Sequence, residues 1–335
     1  MGSIRGLLLN LVPGLGGGGI LPYSDDFTSL NPRWRGTSLA VVDGKMQITP
    51  TLGAELVEVG PDTFGGGGTY LFAYGTNALA NVSRGGSLKL QVTGDGSDAR
   101  GMTFKLRLSA GHLTANTTPG QWYRLSVDAE ADTDDTVTYL IVDGVGAVTW
   151  FTFPVGGEQT FVGQFAPRAA DPELYSGGMA TGEVIWVDNY SVKPVTFASQ
   201  FALIQTGSMR VNAKAAVTLP GAEVFAAGGV AVNINDPTTP TSGVIAYTRS
   251  GTVSLWKYVN GTPTGLIFET SAAYEAGGVI EIRTPSTNTY QLWYRGTQVG
   301  ADQIISDAAI VSNTYHGLFT ASSGVRFDVF FCSTL

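Results

Sequence analysis

The chemically most pointed stretch of this chain is GEVIWVDNYSVKP, residues 182–194, where adjacent Asp188 and Asn189 interrupt an apolar strand pattern. Residues two apart on a strand share a face. Val184, Trp186, Asp188, Tyr190 and Val192 then fall on one side, and Ile185, Val187, Asn189 and Ser191 on the other. Each face carries a polar residue where core is expected. An unpaired buried carboxylate is costly, so a turn, a bulge or a bound cation must satisfy the pair. No D-x-D-x-D ladder marks a calcium loop, and the residues alone favour the turn or bulge.

Other reactive chemistry is thinly represented. A retaining glycosidase holds two carboxylates about 5–5.5 Å apart. Residues 196–335 offer Glu223, Asp236, Glu269, Glu275, Glu281, Asp302, Asp307 and Asp328, scattered singly, while DAEADTDDT (128–136) reads as a solvated acidic hairpin. His112 and His316 stand alone, short of the ligand set that zinc needs. No nucleophile elbow, phosphate loop or dinucleotide fingerprint is present. Cys332, inside FDVFFC, reads as a buried inert thiol and excludes an internal disulfide. The expectation is a protein that is not an enzyme.

Carbohydrate recognition demands less: exposed aromatics to stack on a sugar, and a few polar groups to read its hydroxyls. Trp34 in NPRWRG, Tyr175 in PELYSGG, Trp256 in VSLWKYVNG and Trp293 in YQLWYRG are the candidates, whereas Trp122, Trp186 and Tyr190 read as core.

The elements that would position these residues are strands. The chain of 335 residues has 45 glycines and only 14% charged residues. Short alternating segments such as SLKLQV (87–92), WYRLSVDAE (122–130), VIEIRT (279–284) and TYQLWYRG (289–296) are separated by Gly-containing turns, with DG at 43–44 and 143–144, NG at 260–261 and RG at 295–296. This predicts an all-β chain of two β-sandwich (jelly-roll) domains in tandem behind a short amino-terminal peptide. The boundary is placed in KPVTFASQ, giving domains at 23–195 and 196–335. The net charge is −8, and 12 basic against 19 acidic residues in the first 195 account for most of it. Such a surface excludes nucleic acid and anionic membrane as natural partners.

Residues 1–22 combine an apolar run (Leu7, Leu8, Leu9, Leu11, Val12) with GLGGGG. The run is too short to span a bilayer and no A-x-A cleavage site follows it. It reads as an attachment peptide on a flexible tether, or as a disordered tail.

TPGQWYRLSVDAEAD (118–132) and EVIWVDNYSV (183–192) give residues 23–195 an order of features that resembles the galactose-binding-like jelly roll of carbohydrate-binding modules. The resemblance implies that YSDDF (23–27) is an opening strand lying beside the closing one. Asp25 or Asp26 would then meet Asp188 at a cation site, with Ca2+ as the cofactor. VSLWKYVNGTPTG, YQLWYRGTQVG and YHGLFTASSGVRFDVFFC make residues 196–335 similar to the concanavalin A-like or laminin-G-like lectin sandwich. The whole plan is similar to that of tailed-bacteriophage virion proteins. That likeness implies a non-enzymatic structural protein of the virion, a capsid decoration or head or tail fibre. Residues 1–22 would bind other virion proteins, the sandwiches would face host-surface glycans, and a homotrimer is compatible. The alternative is a secreted carbohydrate-binding protein or an accessory module of a glycoside hydrolase.

Overall fold

The computed structural model describes residues 21–57, 72–73, 78–85, 87–97, 100–105, 113, 115–132, 138–142, 147–167, 173–221, 223–249 and 251–334. Among these residues the fold is nearly all β, with four sheets arranged as two sandwiches. Turn chemistry is followed closely. Asp43 and Gly44, Asn260 and Gly261, and Arg295 and Gly296 all have positive φ, as two-residue hairpins require. They close the hairpins Leu39–Val42 with Lys45–Ile48, Thr252–Val259 with Thr262–Ser271, and Thr289–Tyr294 with Thr297–Ile304. The DG at 143–144 lies outside the described residues.

In the amino-terminal sandwich a six-stranded sheet runs Glu223–Val224, Gln159–Phe165, Tyr123–Ala131, Val184–Pro194, Ser87–Thr93, Ala78–Arg84. Its inner face buries Leu90, Val92, Leu125, Val127, Ile185, Val187, Tyr190 and Val192. A five-stranded sheet runs Ala147–Thr152, Thr138–Val142, Glu173–Gly177, Arg100–Lys105, Phe72–Ala73.

The carboxy-terminal sandwich packs a six-stranded sheet (Phe201–Gln205, Tyr315–Thr320, Ala227–Ile234, Gly243–Arg249, Thr252–Val259, Thr262–Ser271) against an eight-stranded one. The latter runs Leu39–Val42, Lys45–Ile48, Arg326–Ser333, Asn212–Thr218, Gly278–Ser286, Thr289–Tyr294, Thr297–Ile304, with Tyr23–Asp25 also paired to Arg326–Ser333. Residues 23–48, assigned from sequence to the first sandwich, therefore build the second one. Tyr23, Phe27, Trp34, Met46 and Ile48 join its core beside Phe327 and Phe330. In the opposite direction, Glu223–Val224 adds a parallel strand to the first sandwich through Val162 and Gly163. Strand pairing thus crosses the expected 195/196 cut in both directions. Trp122 and Val195 also seal the outer face of the six-stranded carboxy-terminal sheet, among Phe201, Tyr247, Trp256 and Phe319. That leaves the eight-stranded sheet as the outward face of the second sandwich.

Candidate functional site

The Asp188–Asn189 pair sits in a β-bulge. Pairing of Val184–Pro194 with Tyr123–Ala131 slips between Asp188 and Ser191, and Asn189 takes φ 52°. The extra residue resets the alternation. Ile185 and Val187 point inward before it, Tyr190 and Val192 after it. Asp188 Oδ1 accepts from the Asn189 amide at 2.8 Å, and Asn189 Nδ2 donates to Asp128, the cross-strand partner of Asp188. Glu55 clamps the far side: its Oε1 accepts from the amides of Val192 (2.7 Å), Leu56 (3.1 Å) and Val57 (3.1 Å), and its Oε2 accepts from the Ser191 hydroxyl.

Asp25 lies in the other sandwich. It accepts from the Tyr23 hydroxyl (2.8 Å), the Phe27 amide (2.9 Å) and Trp34 Nε1 (2.9 Å). Burial, then the Asp25 hydrogen bond, raises the Tyr23 phenol above its ordinary range. Exposed Asp26 accepts from the Thr28 amide at 3.2 Å. Asp25 and Asp26 border a shallow cavity of about 450 Å³ lined by residues of 24–32. Asp188 belongs to a different sheet, because the opening strand pairs with Arg326–Ser333 and not with Val184–Pro194. Among the described residues no group of three or more His, Cys, Asp or Glu could hold a metal ion.

The aromatic candidates separate in the same way. Trp34 is 5% exposed and packs between Tyr23, Phe27 and Phe330. Its flanking arginines suggested a loop, but the ring turns into the core. Trp256 is buried in the joint between the sandwiches, edge-on to Phe268. Tyr175 pairs through its backbone with Thr103 and Leu140, and its side chain lies outside what is described, as do Leu7, Leu8, Leu9, Leu11 and Val12. Trp293 is half-buried on the outward face of the eight-stranded sheet.

Around Trp293 the register builds two rows of side chains, since inward Ala213, Ala215, Ile280, Ile282 and Leu292 leave their neighbours facing out. One row crosses Phe331, Lys214, Glu281, Trp293 and Gln298. The other crosses Ser333, Asn212, Arg283 and Gln291. The Arg283 guanidinium lies 3.7 Å from the Trp293 ring centre, held by Glu281 through Nε (2.7 Å) and Nη2 (3.1 Å). Trp293 Nε1 donates to Gln291 Oε1 at 3.2 Å. Nε2 of Gln291 and of Gln298 both donate to Asp302, at 2.9 and 2.8 Å. Lys214 Nζ lies 5.1 Å from the Phe331 ring centre. Beside Arg283, Asn212 Oδ1 is buried and has no hydrogen-bond partner among the described residues. Two cations and two carboxylates leave this strip without net charge.

Sequence reasoning singled out Trp293 but missed Arg283, Gln291 and Asn212. The signal was present in VIEIRT and TYQLWYRG, where Glu281-x-Arg283 and Gln291-x-Trp293 share a face by strand alternation.

The sequence matches no family model and no curated protein. Among solved structures the fold is similar to the carbohydrate-binding module CBM66 from Bacillus subtilis, at 12% identity over 43% of this chain and 83% of that one, with a TM-score of 0.28. It is similar to the tandem CBM22 domains of Paenibacillus barcinonensis Xyn10C, at 10% identity over 86% and 99% of the two chains, TM-score 0.32. It is also similar to sheep galectin-11, at 14% identity over 41% and 97%, TM-score 0.29. These are likenesses of all-β architecture alone.

Proposed function

We propose that this chain is a non-catalytic carbohydrate-binding protein that holds a neutral glycan on the outward face of its eight-stranded sheet. The observation that carries this is the Arg283 guanidinium stacked on half-buried Trp293 on that outward face. Arg283 directs Nε and Nη2 to Glu281, and its side chain stays 32% exposed. A sugar hydroxyl accepts from the exposed N–H groups of such a guanidinium. The tryptophan–guanidinium stack supplies a flat, weakly hydrated surface for the ring beside it. Phe331 and Trp293 stand three strands apart, roughly 14 Å. That span fits an oligosaccharide laid across the strands better than a single sugar. The balanced charge of the strip favours neutral sugars over uronates.

The virion reading, in which Leu7, Leu8, Leu9, Leu11 and Val12 fix the chain to a particle, rests on residues outside those described and takes second place. A secreted carbohydrate-binding protein accounts for the same face without that attachment. A glycan array probed with the full chain tests the reading. Binding that drops at least tenfold in Arg283→Met and in Trp293→Ala supports it, and silence across neutral glycans overturns it.

A further inference from the structure

The outward face of the amino-terminal sandwich carries the same four side-chain types in the same contacts. The Arg84 guanidinium lies 3.7 Å from the Trp186 ring centre. Glu130 holds it through Nε (3.0 Å) and Nη2 (2.7 Å). Trp186 Nε1 donates to Gln91 Oε1 at 3.1 Å. Glu130 stands directly across the strand pair from Trp186, as Glu281 does from Trp293. Arginine's hydrogen bonds pull Glu130 below the usual carboxylate range, so the ion pair is intact at neutral pH.

The two assemblies are built differently. In the second sandwich all four residues come from two neighbouring strands. In the first, Arg84, Gln91, Glu130 and Trp186 come from four different strands. No shared local motif dictates the recurrence. A water-facing sheet face does not call for tryptophan, yet both faces carry one roofed by a guanidinium. Trp186 is 8% exposed, and the Arg84 side chain above it is 40% exposed. A ligand therefore meets the outer face of the guanidinium, with the ring as its support.

We infer that the Arg84–Trp186 face is a second binding site for the same class of neutral glycan, which makes the chain bivalent towards a polysaccharide. This rests on the proposed function of the Arg283–Trp293 face. Two linked sites on one chain raise apparent affinity for a polymer without new contacts.

Stoichiometry separates the two claims. Linear neutral hexasaccharides (cellohexaose, xylohexaose and mannohexaose) are titrated calorimetrically into the full chain. Arg→Met keeps the aliphatic cover of the ring and removes the planar guanidinium. The expected result is two equivalents bound by the wild type, one by Arg84→Met, one by Arg283→Met and none by the double variant. Retention on the matching immobilised polysaccharide should fall at least tenfold in each single variant. Should Arg84→Met fail to fold, Arg84→Lys keeps the charge and the stem and serves in its place. A single equivalent, lost in Arg283→Met and untouched in the Arg84 variant, overturns the second site and leaves the first standing. No binding of any hexasaccharide, together with a silent array, overturns both.

Discussion

Glu55 shows how much one carboxylate can hold. Its two oxygens gather three backbone amides and the Ser191 hydroxyl next to the bulge. Glu55→Ala removes this acceptor, leaving the Leu56 amide its 2.8 Å bond to the Val192 carbonyl, and should cost about 1–3 kcal/mol, read as a lower urea midpoint with unchanged slope. His316 makes the second case. It is fully buried, with Nδ1 accepting from the Asn233 amide (3.2 Å) and Nε2 facing the Ser208 carbonyl (2.9 Å). The ring is thus neutral, with its proton on Nε2. Burial lowers its pKa to about 4, against a partial upward pull from Ser208. The unfolded chain takes up the proton near pH 6.5, the native one only near 4. Stability from this group is therefore present above about 6.5 and is lost as pH falls towards 4. The loss is on the order of 2–4 kcal/mol. Urea melts at pH 7.5 and 4.5 check this, because the difference between the two should shrink in His316→Gln.

At the scale of elements, the bulge decides which way the Val184–Pro194 strand faces. Asn189 is the inserted residue and needs φ 52°, which asparagine tolerates far better than a β-branched side chain. Asn189→Val should cost about 1–2 kcal/mol from strain, beyond the lost bond to Asp128. Deleting Asn189 should be tolerated better than a bulky replacement, since removing the extra residue restores plain alternation with Ile185, Val187, Tyr190 and Val192 all inward, and soluble expression with a lowered melting temperature is the expected readout. Close strand contact sets a second requirement. A Cβ at Gly317 would lie 1.9 Å from the Ala202 carbonyl oxygen, and one at Gly229 would lie 1.9 Å from that of Ala246. Gly317→Ala should lower the melting temperature sharply, because backbone on a neighbouring strand cannot move aside.

At the scale of the molecule, the sandwiches are interlocked. Strands from 23–48 complete the carboxy-terminal sheet, and Glu223–Val224 extends the amino-terminal one. Gly120 meets Pro263 so closely across the joint that a Cβ would lie 2.0 Å from the ring. The full chain should therefore unfold in one calorimetric transition, and two separated transitions would contradict this. The fragment 196–335 lacks Tyr23, Phe27, Trp34, Met46 and Ile48 from its core and should not fold alone. Its recovery as a cooperative, soluble monomer would show that the borrowed strands are dispensable.

Local signals determined what local physics controls. Asp-Gly, Asn-Gly and Arg-Gly fixed three hairpin turns because their backbone angles depend on two residues alone. Alternation in WYRLSVDAE placed Leu125 and Val127 inward because a strand has period two. The same alternation failed at Asp188, where one bulged residue resets the period and a bulge leaves no mark in composition. Trp34 read as a surface loop residue, yet it is buried on Asp25; Trp186 read as core and is buried, though under Arg84 on the outward side of its sheet. Arg84, Glu130 and Trp186 are far apart in sequence and meet only once four strands are in register. Which sandwich residues 23–48 joined was likewise decided by pairing with the last strand of the chain. Strand partners and sheet faces depend on long-range register, and no short window of sequence contains it.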